Sequence, residues 1–217
     1  MGESIRLLED RREAGRMVAD QLACYAGKPD VVILGLPRGG VVVAYEVARA
    51  LDAPLDVFLV RKLGAPGQEE LAVGAIASGG ARVMNEDVVR GLGLSESRIE
   101  QIAAREQAQL ERREQLYRGH TAPVELAGKQ VIVVDDGLAT GATMRTAVAA
   151  LRRLGPARVI VAVPAAPAET CATLSREADE VVCAMTPYPF FSIGEWYRDF
   201  SQTSDEEVIE LLEQARA

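Results

Sequence analysis

The sequence predicts an α/β fold in three layers, a mostly parallel sheet of about five strands flanked by helices. Three observations predict it. Short runs of β-branched residues recur, at Val31-Val32-Ile33-Leu34 and at Val131-Ile132-Val133-Val134, and unbroken apolar runs of this length suit strands buried on both faces of a parallel sheet. Each run leads through a glycine-rich or small-residue turn into a segment with apolar residues three and four apart, the spacing of an amphipathic helix. Finally, 48% hydrophobic and 26% charged residues over 217 positions is ordinary globular usage, and a single domain spanning 1–217 accounts for it.

The chain opens with an amphipathic helix over Asp10 to Tyr25, with Ala14, Met17, Val18, Leu22 and Tyr25 on one face. After the first strand, Gly35-Leu36-Pro37-Arg38-Gly39-Gly40 forms a turn, and Val41 to Leu51 a helix packing through Val43, Val47 and Leu51. Asp56 to Lys62 reads as a strand ending in two cations, followed by a turn-rich Leu63-Gly64-Ala65-Pro66-Gly67. Leu71 to Ala77 and Ala81 to Met84 flank Ser78-Gly79-Gly80 as an inserted hairpin. Ser95 to Arg118 is a long polar helix with a capping start at Ser95 and a thin stripe at Ile99, Ile102, Leu110 and Leu116. Its Glu and Arg residues are expected on a solvated, loosely packed face.

The second β-branched run precedes a helix marked by Met144, Ala147, Val148, Leu151 and Leu154. Strands over Ala157 to Val163 and Glu180 to Ala184 follow, separated by a helix around Ala168 to Ala178. Right-handed crossovers are expected throughout. The core is expected at about 28–185. Residues 186–204 gather five of the ten aromatics within Thr186 to Tyr197, and with the N-terminal helix they are expected to form a hood.

Composition excludes several function classes. No stretch approaches 18 apolar residues and Met1 to Arg16 is rich in charge, so neither export nor membrane spanning is expected. A net charge of −8 without a basic stripe argues against nucleic acid as partner. Cys24, Cys171 and Cys183 are odd in number and widely spaced, which argues against a disulfide framework or a metal site and for a cytoplasmic protein. His120, the single histidine, reads as solvated.

The chemistry concentrates in Val131 to Met144. Asp135 and Asp136 stand at the carboxyl end of a buried strand, where open α/β sheets bind ligands, and paired carboxylates there accept hydrogen bonds from vicinal hydroxyls. Ala139, Thr140, Gly141, Ala142 and Thr143 are small enough for successive backbone N–H groups to close around an anion, with the following helix dipole favouring negative charge. No Lys follows the second glycine and there is no Gly-x-Gly-x-x-Gly, so neither a Walker loop nor a dinucleotide site is present. A sugar phosphate fits.

These residues resemble the signature of the type I phosphoribosyltransferases: apolar residues, two acids, then a Thr-Gly-containing loop. The resemblance implies that Asp135 and Asp136 engage the ribose hydroxyls of 5-phosphoribosyl 1-diphosphate (PRPP), as the catalytic pair, and that Ala139 to Thr143 hold its 5-phosphate. Arg38, Gly39 and Gly40 look like the family's diphosphate loop, which often carries a non-proline cis peptide. Arg61 and Lys62 are candidates to stabilise the leaving diphosphate. Phe190, Phe191 and Trp196 are the acceptor-hood candidates, since the family commonly stacks a base there.

The resemblance also implies Mg²⁺ bound through PRPP near Asp135 and Asp136, with no direct protein cage, and a small nitrogenous acceptor, such as a nucleobase. A homodimer is expected. Ala139 stands where the hypoxanthine and guanine branch has a third Asp, which counts against that branch. The wider stretches Leu36-Pro37-Arg38-Gly39-Gly40, Arg61 to Gly67 and Trp196-Tyr197-Arg198-Asp199-Phe200 resemble bacterial phosphoribosyltransferases whose acceptor is not established. A second class of function stands beside the transferase: a PRPP- or nucleotide-sensing regulator that keeps the anion loop without the chemistry.

Overall fold

In the computed structural model, which describes residues 7–216, the two β-branched runs lie side by side. Val31–Gly35 (β1) and Gln130–Val134 (β6) pair in parallel, Val31 opposite Gln130 and Gly35 opposite Val134. Leu55–Val57 (β2), Arg158–Ala165 (β7) and Glu180–Met185 (β8) complete a parallel sheet in the order β2-β1-β6-β7-β8. The chain moves outward from β1 to β2 and then returns to the other side of β1 as β6. That reversal opens a crevice beyond the carboxyl ends of β1 and β6, the place where such sheets bind ligands.

Alternation along the strands builds two cores. Ile33, Ile132, Val134 and Ile160 face Arg11–Gln21 (α1), Gly39–Leu51 (α2) and Asp205–Gln214 (α7). Val32, Leu34, Val131, Val133, Val159 and Val161 face Ala142–Arg153 (α5), through Met144, Ala147, Val148 and Leu151. Burying each such side chain contributes roughly 1.5–3 kcal/mol, so β1 and β6 hold both layers to the centre.

The strand expected over Asp56 to Lys62 is two strands. The Phe58 N–H still bonds the Gly35 carbonyl at 3.0 Å, but the Leu59 N–H goes to Ser78 Oγ at 2.9 Å, and the chain passes into a second sheet. This is Val60–Ala65 (β3), Gln68–Ala77 (β4) and Arg82–Met84 (β5), antiparallel. Arg61 and Lys62 therefore lie inside β3 instead of at a strand end, and the expected turn shrinks to Pro66-Gly67. Both strands are apolar through the handover, so hydropathy carries no mark of it. The expected hairpin is β4–β5, closed by the Ala77 N–H on the Ala81 carbonyl at 2.8 Å.

Glu86–Gly91 (α3), capped by Asn85, was not anticipated, nor was α7. Glu96–Arg118 (α4) starts at Ser95 as expected but is anchored, not loose. Its buried residues Ala103, Leu110 and Tyr117 stand seven apart, Leu116 turns to solvent, and Arg118 is buried on Asp56. Ala168–Leu174 (α6) ends earlier than expected, and Cys171 is disulfide-bonded to Cys183 on β8, contrary to the cysteine reading. A widely spaced pair gives no sequence sign of meeting. Cys24 is free and exposed.

Candidate active site

The loops after β1 and β6 touch at the crevice. A Cβ on Gly40 would press on the Asp135 backbone and the Val134 carbonyl, and one on Gly39 would strike the Asp136 carboxylate and the Arg11 guanidinium. Glycine at both positions is what lets the amino end of α2 lie directly on the acid pair. The peptide between Pro37 and Arg38, just ahead of these glycines, is cis. No hydrogen bond or ion pair holds the Arg38 guanidinium among the described residues, although its charge is felt by Glu206 on α7. An uncommitted guanidinium thus stands beside the unpaired N–H groups of a helix start.

Opposite lies the small-residue loop. The Leu138 N–H bonds the Ala165 carbonyl at 3.0 Å, and Gly141 caps α5 at φ 70°, a left-handed conformation that favours glycine. Thr170 on α6 donates its hydroxyl to the Ala139 carbonyl at 2.8 Å and packs where a Cβ on Gly141 would sit. The loop is fixed from behind while Ala139, Thr140, Ala142 and Thr143 stay exposed. The Ala142 N–H bonds Thr140 Oγ1 at 3.4 Å, and Ala142 and Thr143 line a cleft.

Asp135 accepts the Asp136 N–H on Oδ1 at 2.9 Å. Burial pushes Asp135 well above the usual carboxylate range, and the neighbouring Asp136 charge pushes it the same way. Asp136 is also raised by burial, but Arg11 pulls it back through a 2.8 Å hydrogen bond from Nε to Oδ2. The Asp136 carbonyl accepts the Tyr197 hydroxyl at 2.6 Å, and burial raises the Tyr197 phenol far above its ordinary value.

The hood is zipped to the chain start. The Leu8 N–H bonds the Trp196 carbonyl at 2.9 Å, the Arg198 N–H the Leu8 carbonyl at 2.8 Å, and the Asp199 N–H the Glu9 carbonyl at 2.9 Å. Ile193 fills the space before Gly137, so the hood closes on the end of β6. Of the three hood candidates, Phe190 and Trp196 meet with ring centroids 6.0 Å apart, while Phe191 is 79% exposed and outside that pair. The Trp196 indole N–H is buried with no hydrogen-bond partner among the described residues.

Arg61 and Lys62 alternate across β3 and part company. Arg61 donates Nε and Nη2 to Glu106 at 2.9 and 2.6 Å, and Nη2 to Gln109 at 2.7 Å. It lines a small cavity with Pro37, Arg113 and Thr143. Lys62 bonds Glu70 at 3.2 Å and lines a larger cleft with Ala142, Thr143 and Arg145. Each cation shares a space with Thr143, but neither stands free as Arg38 does.

Sequence reasoning missed Arg11, Arg113, Thr170, Tyr197 and Phe200. Arg11 had one signal: a cation in the first turn of α1 opposes the helix dipole, so some other group must hold it there. Arg113 and Thr170 sit on helices given no site role, and Tyr197 and Phe200 lie in the hood stretch noted for its resemblance without a role of their own.

Residues 8–194 match the sequence model of the phosphoribosyl transferase domain. The chain belongs to the phosphoribosyltransferase family. Two Mycobacterium tuberculosis proteins, from strains H37Rv and CDC 1551, each named "Putative phosphoribosyl transferase", are 48% identical over 211 residues, 97% of this chain and 47% of each relative. This phosphoribosyltransferase chain thus spans about half the length of the curated relatives it matches. The crystal structure of TT1426 from Thermus thermophilus is 44% identical with a TM-score of 0.85, over 96% of this chain and 98% of that one. The parallel sheet and its flanking helices are shared with that structure.

No helix among the described residues is long and apolar enough to cross a membrane.

Proposed function

We propose that this phosphoribosyltransferase takes PRPP and moves its ribose 5-phosphate to a nitrogen acceptor, with a nucleobase as the acceptor class, releasing diphosphate. The observation that carries the reading is the contact of Gly39 and Gly40 with Asp135 and Asp136, opposite a small-residue anion loop. A ribose whose 5-phosphate lies in the Ala139 to Thr143 loop reaches the acid pair with its hydroxyls. Its anomeric carbon then faces the start of α2 and Arg38. The bond from the acceptor nitrogen to that carbon forms as the bond to diphosphate breaks, the diphosphate leaves with the electron pair, and the proton on the acceptor nitrogen passes to solvent.

Asp135 and Asp136 orient the ribose and offset positive charge developing on the sugar. Arg38 and the α2 N–H groups receive charge as it builds on the diphosphate. Arg61 and Lys62 add to that field once they exchange Glu106 and Glu70 for the ligand. The hard oxygens of Asp135 and Asp136 would suit Mg²⁺ brought in with PRPP. When bound, it neutralises diphosphate charge. Phe190 and Trp196 supply the stacking surface for the acceptor.

The test is diphosphate release from PRPP and Mg²⁺ across a panel of nucleobases and simple amines. Release with one acceptor supports the transferase. Tight PRPP binding without turnover on any acceptor means a sensor on the same fold, and no PRPP binding overturns both. Asp136→Asn, which keeps shape and removes charge, is expected to lower turnover strongly with the fold intact.

The cytoplasmic location expected of the chain rests on its cysteine pattern, against which the Cys171–Cys183 disulfide weighs, and a homodimer remains the expectation for its assembly. Thiol labelling in fresh lysate and sedimentation of the purified chain test the two parts.

A further inference from the structure

Arg11 stands where α1, the hood and the acid pair meet. Its Nε donates to Asp136 Oδ2 at 2.8 Å, its Nη1 to the Ser201 carbonyl at 2.7 Å, and its guanidinium lies 4.0 Å from the centre of the Phe200 ring. A planar cation bonded at two edges and covered on one face is held in a single orientation. Its side chain is only 11% exposed, beside an Asp136 side chain 15% exposed. Local structure does not call for it, because a cation in the first turn opposes the dipole of α1. Asp136 is the group that gains. Oδ2 is tied to Arg11, and Oδ1 takes no hydrogen bond from another described residue.

We propose that Arg11 is a positioning residue for sugar recognition: it fixes the Asp136 carboxylate so that Oδ1 accepts one of the two vicinal ribose hydroxyls. This rests on the ribose reading of the acid pair and adds to it. Recognition of the sugar then depends on the N-terminal helix, and on Phe200 and Ser201 of the hood segment that hold Arg11. Tyr197, bonded to the Asp136 carbonyl, steadies the same residue from its backbone.

The experiment is calorimetric binding of ribose 5-phosphate and its 2-deoxy and 3-deoxy analogues to the full chain and to Arg11→Met, Arg11→Lys and Phe200→Leu. The unmodified protein is expected to prefer ribose 5-phosphate to at least one deoxy analogue by about tenfold or more, the worth of a well-placed hydrogen bond to a charged group. Arg11→Met is expected to reduce that preference to about twofold, with affinity for the deoxy sugar little changed. Arg11→Lys recovers part of the preference, and Phe200→Leu loses less of it. If all three affinities fall together in Arg11→Met with the preference intact, Arg11 serves only the fold and the proposal is overturned. Should Arg11→Met fail to fold by circular dichroism, an unchanged preference in both other variants overturns it equally. If the unmodified protein binds none of the three sugars, the ribose reading itself fails and takes this inference with it.

Discussion

Gly39 and Asp136 occupy one space: the volume a side chain would need at Gly39 is filled by the Asp136 carboxylate. The start of α2 and the end of β6 are thereby fixed at contact distance, so the surfaces proposed for diphosphate and for ribose adjoin. Gly39→Ala must push Asp136 and Arg11 aside. Overpacking of this kind costs about 1–3 kcal/mol. The expected outcome is a lower melting temperature together with at least about a tenfold loss in PRPP affinity, since the displaced groups are the ligand's own. An Ala variant that binds PRPP like the parent would show that the contact does not shape the site.

Arg38 is expected to behave in the opposite way. Its guanidinium holds no hydrogen bond or ion pair among the described residues, so removing it breaks none. Arg38→Ala is expected to change stability by less than about 0.5 kcal/mol. PRPP affinity should fall roughly 10- to 100-fold, the loss of a hydrogen bond to a charged group. Titration calorimetry alongside urea denaturation separates the two quantities, and a variant that unfolds easily yet binds normally contradicts the assignment.

How far the site was legible follows from where its parts lie in the chain. Asp135 to Thr143 and Arg38 to Gly40 could be read as a candidate site because strand, turn and helix start are contiguous, and the backbone of each turn is local to the motif. Arg11 meets Asp136 across 125 positions, and no local pattern encodes that meeting. The central strands β1 and β6 were legible from β-branched runs buried on both faces. The handover at Phe58 was not, because a strand leaving one sheet and entering another stays apolar throughout. Arg118 was read as solvated for a related reason: a charge at the end of a polar helix looks the same whether water or Asp56 receives it.

That buried pair has a measurable weight. Arg118 donates Nε to Asp56 at 2.9 Å and Nη2 to the Val57 carbonyl at 2.7 Å, tying α4 to the last strand before the handover. Arg118→Met would leave Asp56 buried without its counter-charge, held only by the Val57 and Val124 N–H groups, a loss of up to about 3–5 kcal/mol. Asp56→Asn in the same chain removes the stranded charge and is expected to return part of that loss. Urea midpoints for both variants and the double variant test this, and strict additivity would mean that the two residues are not coupled.

The cysteines make a chemical prediction. On the native protein, iodoacetamide should label Cys24 alone, since it is exposed and Cys171 and Cys183 are joined. After a dithiol reductant all three should label, and the fold should lose about 3 kcal/mol, the chain-entropy value for a short loop. Three labelled thiols before reduction would show that the bridge does not form in solution. Because Thr170, next to Cys171, supports the Ala139 carbonyl, reduction should weaken PRPP binding more than Cys24→Ser does.

Asp135 should reveal itself through pH. Its carboxyl is raised well above the ordinary value of 3.8, by burial first and by the Asp136 charge second. Between 3.8 and the raised value the native state holds a proton that the unfolded chain has released, so stability falls as pH rises through that window. This is the reverse of a salt-bridged carboxylate. Asp135→Asn removes the ionisation while its amide oxygen still accepts the Asp136 N–H. The variant should therefore be more stable than the parent at pH 7. The gain should disappear below about pH 4, where both chains carry a neutral group. Melting temperatures of the two proteins across that range decide the matter: a gain that persists in acid would have a packing origin, and no gain at neutral pH would mean that the acid is not held against its own charge. If the gain appears as PRPP turnover is lost, the buried acid is retained for the sugar it binds and at a cost to the fold.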